Sequence, residues 1–139
     1  MPGGIFTEVF PRSRRARACW LRAADTALGS VGNDRIDGGA GNDSLAGGDN
    51  ADTLTGGAGN DSIDGGGGSD QLVLAGTRAT YTFTDLGGGI YRVVDGNAAA
   101  DGNDGSDRFT GIETVQFKDE KVGFSALLNT PPDVVNDIT

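Results

Sequence analysis

A nine-residue unit occurs five times in succession between residues 29 and 73, with nothing inserted between copies. The copies read GSVGNDRID, GGAGNDSLA, GGDNADTLT, GGAGNDSID and GGGGSDQLV. A short, unbroken period is typical of chains in which each unit folds alike and stacks on its neighbours. The repeat therefore predicts an architecture of stacked, equivalent units.

Four places of the unit are nearly constant. Glycine leads every copy and fills the fourth place in all but the third copy, where Asn50 stands instead. The sixth place is always aspartate and the eighth is always a large apolar residue. The aspartates are Asp34, Asp43, Asp52, Asp61 and Asp70, and the apolar residues are Ile36, Leu45, Leu54, Ile63 and Leu72. This pattern resembles the RTX nonapeptide of the hemolysin-type calcium-binding proteins, and four of the five copies match it well.

The donor atoms of the unit indicate a particular metal. Glycine enters left-handed backbone conformations at no steric cost, so a G-G-x-G turn can direct its carbonyl oxygens toward one point, where aspartate adds a carboxylate. These hard oxygen donors suit calcium, which accepts six to eight ligands. The chain has no histidine and one cysteine, so a nitrogen or sulfur metal site is excluded as an interpretation.

The resemblance implies an all-β fold, a right-handed parallel β-roll in which two successive units form one coil. The last three residues of each unit supply one short strand with its apolar residue pointing inward. On this basis we expect about three complete Ca²⁺ sites, one for each of the pairs Asp34 and Asp52, Asp52 and Asp70, and Asp43 and Asp61, with empty half-sites at the ends. The backbone carbonyl oxygens of the loop glycines would act as further calcium ligands. These residues are Gly32, Gly38, Gly39, Gly41, Gly47, Gly48, Gly56, Gly57, Gly59, Gly65, Gly66 and Gly68.

The small apolar content of the repeat predicts that calcium is needed for folding. Five buried Ile or Leu side chains do not offset the backbone entropy lost on ordering the whole repeat. We therefore expect the roll to be disordered without calcium, so that binding supplies the folding free energy.

Two other interpretations of the repeat fit less well. A flexible linker would be rich in glycine and polar residues too, but it has no reason to keep an apolar residue in phase with an aspartate. An EF-hand requires a D-x-D-x-D-G loop between amphipathic helices, and the sequence has neither.

Two units depart from the pattern. In the third, Asn50 must take the backbone conformation of the glycine that it replaces, which asparagine tolerates better than most residues. The site between Asp43 and Asp61 avoids this loop and is therefore the safest. Upstream, Asp25 stands nine residues before Asp34 and begins Asp-Thr-Ala-Leu, which indicates a decayed sixth unit and an N-terminal cap.

The composition changes after the repeat. Tyr81 and Phe83 alternate with threonines, and the segment 90–94 follows a glycine turn, which predicts a β-hairpin. A polar acidic loop is expected at 95–107, then a strand with Val115 and Phe117 on one face, and FSALL at the close. This run is similar to the cap that follows such rolls in large secreted bacterial proteins. We expect a small antiparallel β cap over residues 74–128, after a roll at 23–73.

The two ends of the chain differ from the middle. Residues 1–22 hold five arginines and one acidic residue, whereas the remainder holds six basic and 19 acidic residues. We expect a basic, disordered leader at 1–22, without the apolar run of a secretory signal and with the single Cys19. The segment 129–139 is similar to the openings of cadherin-like repeats, and we interpret it as a linker or the start of a further domain; a C-terminal secretion signal remains the alternative.

The sequence favours a binding function over catalysis. It contains no HExxH or GxSxG motif, and the acidic body disfavours nucleic acid as a partner. No segment reaches the ~20 apolar residues of a membrane span. We expect a calcium-dependent folding module of a secreted, type I exported bacterial protein, extracellular or at the cell surface, with neighbouring domains of a longer polypeptide as partners. A fragment of a surface adhesin and the accessory roll of a hydrolase or epimerase are the alternatives.

Overall fold

The computed structural model describes residues 7–9, 17–18, 26–96 and 104–128. Within these ranges the chain forms thirteen strands, a short 3-10 helix at Arg78–Thr80 and one α-helix. The elements are β1 (Thr7–Val9), β2 (Arg17–Ala18), β3 (Thr26–Val31), β4 (Arg35–Asp37), β5 (Ser44–Asp49), β6 (Thr53–Thr55), β7 (Ser62–Gly67), β8 (Gln71–Val73), β9 (Tyr81–Gly87), β10 (Ile90–Asp95), β11 (Ser106–Thr110), β12 (Thr114–Gln116), β13 (Lys121–Gly123) and α1 (Phe124–Leu128).

Strands of successive repeats belong alternately to two parallel sheets. β3, β5 and β7 are neighbours in one sheet, and β4, β6 and β8 are neighbours in the other. Paired residues lie 18 positions apart, as Leu45 with Ile63 and Ile36 with Leu54. Two nine-residue units therefore make one coil, and the predicted parallel β-roll is confirmed.

The eighth residue of each unit fills the space between the two sheets. These five side chains, Ile36, Leu45, Leu54, Ile63 and Leu72, are at most 2% exposed. The residue before each is exposed or half-buried, because successive side chains of a strand point to opposite faces. Each buried side chain contributes roughly 1.5–3 kcal/mol relative to an exposed one, so the one apolar residue per unit provides the interior of the roll.

The roll extends further toward the N-terminus than the intact repeats. β3 carries the Thr-Ala-Leu of the decayed unit, and its Ala27 is fully buried opposite Leu45. β1 pairs with β3 and β2 pairs with β4, both in parallel. These short segments bond to the edges of the two sheets, where backbone groups are otherwise unpaired, and the disordered leader expected at 1–22 stays a prediction. Asp25 and Cys19 lie outside the described residues.

The predicted hairpin is present beyond the roll. β9 and β10 pair antiparallel across a turn of three glycines, with Phe83 opposite Val93. Phe83 contacts the rings of Phe109, Phe117 and Phe124 at centroid distances of 6.1–6.2 Å, with two of the three pairs edge to face. An aromatic cluster therefore holds the hairpin against the last coil.

The cap differs from the expected antiparallel unit in one respect. β10 and β11 are antiparallel, as are β12 and β13, but β11 pairs in parallel with β7 and β12 pairs in parallel with β8. β11 and β12 thus add another coil to the roll. The acidic loop expected at 95–107 is interrupted here, because Ser106 already belongs to β11 and the Asp107 side chain is buried.

The C-terminal part of the cap contains one more strand than the sequence indicated. The segment expected as one strand forms β12 and β13, joined by a turn in which the Phe117 amide bonds to the Glu120 carbonyl. Val115 and Phe117, predicted to share one face of a strand, are both buried, and FSALL forms α1. No helix in the described ranges has the length and apolar character needed to cross a membrane. The segment 129–139 lies outside the described residues.

Candidate metal centre

The first glycine of each unit lies against the aspartate of its own unit and, in four of the five copies, against a carbonyl oxygen of a neighbouring coil. A Cβ added at Gly38 would stand 2.6 Å from Oδ2 of Asp43 and 2.7 Å from the carbonyl oxygen of Gly56. Both separations are shorter than real Cβ contacts. Similar crowding occurs at Gly29, Gly47, Gly56 and Gly65. Only glycine at this place lets the loops of successive coils stack in contact.

The second and fourth places of the unit require left-handed backbone. Their glycines have φ between 92° and 130°, and these residues are Gly32, Gly39, Gly41, Gly48, Gly57, Gly59, Gly66 and Gly68. Asn50 takes the same conformation with φ 86°, as predicted for the third unit. The loops therefore share one backbone geometry, including the loop in which the motif is degenerate.

The aspartates form two columns, one along each edge of the roll. The amide of Asp34 donates to Oδ1 of Asp52 at 2.7 Å, and the amide of Asp52 donates to Oδ1 of Asp70 at 2.8 Å. In the other column the amide of Asp43 donates to Oδ1 of Asp61 at 2.7 Å. The structure thus brings together all three pairs of site residues named from the sequence. All five carboxylates are at most 3% exposed.

The second carboxylate oxygens are the unusual feature of these columns. Oδ2 of Asp52, Asp61 and Asp70 is buried with no hydrogen-bond partner. Without a cation nearby, desolvation by burial raises the pKa of each of these carboxyls from 3.8 to about 6. A buried, uncompensated carboxylate oxygen is costly, so each column has the electrostatics of a cation site.

The donor set fits calcium. Among the described residues, no group of three or more His, Cys, Asp or Glu side chains converges on one point. The carboxylates meet in pairs instead, and backbone carbonyl oxygens of the closely stacked glycine loops are the available additional ligands. Carboxylate and carbonyl oxygens in flexible number are the ligands that calcium accepts. The residues present therefore fit the ion that the motif indicates.

Comparison with protein families agrees with this geometry. The model of the RTX calcium-binding nonapeptide repeat, which spans four copies, matches residues 22–54 and 46–76. Residues 22–76 are RTX calcium-binding nonapeptide repeats. The first match begins upstream of the five intact units and covers the decayed unit that contains β3. A search of curated proteins gives no significant match.

Two acidic residues beyond the RTX repeats continue the aspartate columns, and the sequence analysis missed both. The amide of Asp61 donates to Oδ1 of Asp107 at 2.8 Å, and the amide of Asp70 donates to Oε2 of Glu113 at 2.8 Å. Desolvation by burial raises the pKa of Asp107 to about 8. The sequence does carry a signal for Asp107: GNDGSDRFT at 102–110 repeats the pattern of glycine, aspartate and apolar residue at places one, six and eight.

Another buried aspartate in the cap has a structural role. Asp104 accepts hydrogen bonds from the Tyr81 hydroxyl and from the amide of Ala75, and the amide of Gly76 donates to the same hydroxyl. Burial and the hydrogen bond to Asp104 raise the pKa of Tyr81, so the phenol stays a neutral donor. This network joins the start of β9 to the end of the RTX repeats.

A solvent groove runs beside one column of the RTX repeats. Loop residues of three successive coils line it, including Asn42, Asn60 and Ser106, together with Arg92 and Arg108. The amide of Asn60 donates to the side chain of Asn42, and the amide of Ser106 donates to that of Asn60. The groove gives solvent access to the loops that contain Asp43 and Asp61.

Proposed function

We propose that the roll binds about three calcium ions, at the pairs Asp34 and Asp52, Asp52 and Asp70, and Asp43 and Asp61. The observation that carries the proposal is the buried Oδ2 atom of Asp52, Asp61 and Asp70, which has no hydrogen-bond partner. The loop glycines would supply carbonyl oxygens. Bound calcium would supply positive charge that compensates the paired carboxylates.

The same residues would couple binding to folding. In each column the carboxylate of one coil accepts the backbone amide of the aspartate one coil earlier, so that buried carboxylates lie close together. No basic side chain forms a salt bridge with Asp52, Asp61 or Asp70 within the described ranges. Without a bound cation, the desolvation of these carboxylates and the repulsion between them therefore destabilise the folded roll. Binding of calcium only to the folded roll shifts the equilibrium toward that state.

This coupling suits a module that folds after export. RTX repeats are typical of secreted proteins, and the repeat is a structural calcium-binding module. Extracellular modules typically bind calcium at ~10⁻⁴ to 10⁻³ M, a range in which a roll stays open at low cytosolic calcium and closes outside the cell. We propose a binding function without catalysis, in a type I exported polypeptide whose roll (23–73) and cap (74–128) stabilise the domains joined to them.

A calcium titration followed by far-UV circular dichroism tests the proposal. The full chain is titrated with calcium, with magnesium as the control cation and a chelator as the reversal. We expect a cooperative gain of β signal with calcium alone, because magnesium demands a stricter octahedral geometry and retains its waters. A spectrum that is rich in β structure before calcium and unchanged by it would contradict the coupling. A coil spectrum at every calcium concentration would contradict the proposed function itself.

A further inference from the structure

We propose that Asp107 and Asp61 form an additional calcium site between the RTX loop at 56–61 and the cap, with Asp107 outside the residues that match the repeat. The inference rests on the proposed calcium binding of the roll and extends it to a segment separated from the repeats by the hairpin. The half-site expected to stay empty at this end of the column is thereby completed.

The first support is the geometry of residues 105–107. Gly105 has φ 74°, and a Cβ added there would collide with the carbonyl group of Gly59. This is the relationship that Gly59 has to Gly41 one coil earlier. The hydrogen bonds between asparagines of successive coils also continue into this segment. The amide of Asn60 donates to Oδ1 of Asn42 at 2.8 Å, and the amide of Ser106 donates to Oδ1 of Asn60 at 2.9 Å. Residues 105–107 therefore stack on the loop 56–61 as one RTX loop stacks on another.

The second support is the position of the Asp107 carboxylate. Its Oδ1 accepts the amide of Asp61 at 2.8 Å, and Oδ1 of Asp61 accepts the amide of Asp43 at 2.7 Å. Asp107 is 1% exposed, while the next residue, Arg108, is exposed. Arg108 lines the solvent groove beside the column, and exposed Arg35 follows buried Asp34 in the same order in the first unit.

The third support is an unsatisfied atom in the same loop. Oδ2 of Asp61 is buried and has no hydrogen-bond partner, in a residue that is 3% exposed. It lies next to Gly56, at the start of the loop on which residues 105–107 stack. Within the described ranges neither Asp61 nor Asp107 forms a salt bridge, although Arg92 and Arg108 line the groove beside Asp61. Two stacked, buried carboxylates without a counter-charge require a cation or a proton, and the loop carbonyls around them are ligands for a cation.

The site would join the cap to the roll. Asp107 lies on β11, which pairs in parallel with β7 of the roll on one side and antiparallel with β10 of the hairpin on the other. A cation held by Asp61 and Asp107 would bridge the two parts of the chain across the insertion at 74–101. The cap is then expected to fold with the same calcium dependence as the roll.

Calcium stoichiometry of the full chain tests this inference. Wild type, Asp107→Asn and Asp85→Asn are dialysed to equilibrium against calcium, and bound calcium per chain is measured by atomic absorption. The Asp107→Asn variant keeps the oxygen that accepts the Asp61 amide but loses the charge; Asp85→Asn removes the same charge from the exposed face of the hairpin. We expect Asp107→Asn to bind one ion fewer than wild type, or to bind its last ion at least tenfold more weakly, and Asp85→Asn to match wild type.

Equal stoichiometry and affinity in wild type and Asp107→Asn would overturn the inference while leaving calcium binding by the roll intact. A wild-type chain that binds no calcium would overturn the proposed function instead. Should Asp107→Asn not fold, wild-type crystals grown with calcium decide the matter by anomalous scattering. A peak between Asp61 and Asp107 is the expected result; a peak between Asp43 and Asp61 with none at Asp107 would refute the additional site.

Discussion

The backbone amide of Asp52 donates a hydrogen bond of 2.8 Å to Oδ1 of Asp70, which stands one coil later in the same column. Oδ1 of Asp52 in turn accepts the amide of Asp34 at 2.7 Å. Each aspartate thus uses one oxygen to hold the coils in register, while Oδ2 of Asp52 and Asp70 stays without a hydrogen-bond partner. One side chain therefore serves both the stacking of the fold and the proposed binding of calcium.

Asp52→Asn should weaken calcium binding without preventing the coils from stacking. Asparagine keeps the oxygen that accepts the Asp34 amide but removes the charge, and Asp52 belongs to two of the three proposed sites. We expect two ions per chain to bind at least about tenfold more weakly, the loss seen even for partners one step removed from a metal. Calorimetric titration measures this, with Asp34→Asn affecting one ion and Asp85→Asn none. Unchanged binding by Asp52→Asn would place calcium elsewhere.

Gly38→Ala should destabilise the calcium-loaded protein although the backbone at this residue is not left-handed. The added methyl would meet Oδ2 of Asp43 at 2.6 Å and the Gly56 carbonyl oxygen at 2.7 Å. Overpacking of this kind costs about 1–3 kcal/mol. At Gly123 a Cβ meets nothing within 4 Å, so Gly123→Ala should change the free energy of unfolding by less than about 0.5 kcal/mol. Urea denaturation compares the two, and equal losses would contradict the close stacking of the loops.

Asn50→Ala should be more destabilising than Asn50→Gly. Asn50 has φ 86°, and its Oδ1 accepts the Gly32 amide at 3.0 Å. Alanine loses the hydrogen bond, worth about 1 kcal/mol, and incurs about 1–2 kcal/mol for a left-handed backbone. Glycine loses the hydrogen bond but adopts the conformation freely. Thermal unfolding in saturating calcium gives the order, and an alanine variant as stable as the glycine variant would mean that the third loop is not left-handed.

Acidification should stabilise the calcium-free roll. Burial raises the folded-state pKa of Asp52, Asp61 and Asp70 to about 6, above the usual 3.8. A carboxyl with a raised folded-state pKa contributes stability that is complete below its unfolded pKa and is lost as the pH rises through its folded pKa. Asp107, at about 8, acts in the same direction.

In buffer freed of calcium by a chelating resin, we therefore expect a larger β signal in the far-UV spectrum at about pH 5 than at about pH 7.5, where the calcium-free roll is disordered. In millimolar calcium the order should reverse, because protons and calcium compete for the same carboxylates. Circular dichroism spectra at the two pH values, with and without calcium, measure both effects. The same pH dependence in both buffers would mean that calcium does not bind at these carboxylates.

Much of the roll could be predicted because its information is local. Leu54 and Asp52 stand two places apart in one unit, and the same spacing recurs in each of the five copies. Alternation of side chains along a strand then buries the leucine, and the glycine turn orients the aspartate. The pairs Asp34 and Asp52, Asp52 and Asp70, and Asp43 and Asp61 follow from the period alone once two units form a coil.

Residues at the ends of the columns could not be assigned in the same way. Asp107 pairs with Asp61 across 46 positions, and Glu113 pairs with Asp70 across 43. The hairpin inserted between the coils interrupts the period, and Glu113 follows Gly111 too closely for an intact glycine loop to lie between them. β1 and β2 carry no repeat pattern at all, and backbone pairing at an open sheet edge does not require one.

The sequence by itself determined the period and the type of ligand atom, because both depend on the backbone freedom and side-chain type of residues within one short unit. The parallel coil of two units was expected from the resemblance to RTX repeats and is confirmed by the strand pairing. Only the tertiary structure decided that Asp107 completes a column, that Tyr81 and Asp104 hold the hairpin to the roll, and that the cap adds a parallel coil. These relationships join residues that are distant in the chain, and their partners are selected by packing at the end of the roll rather than by any local preference.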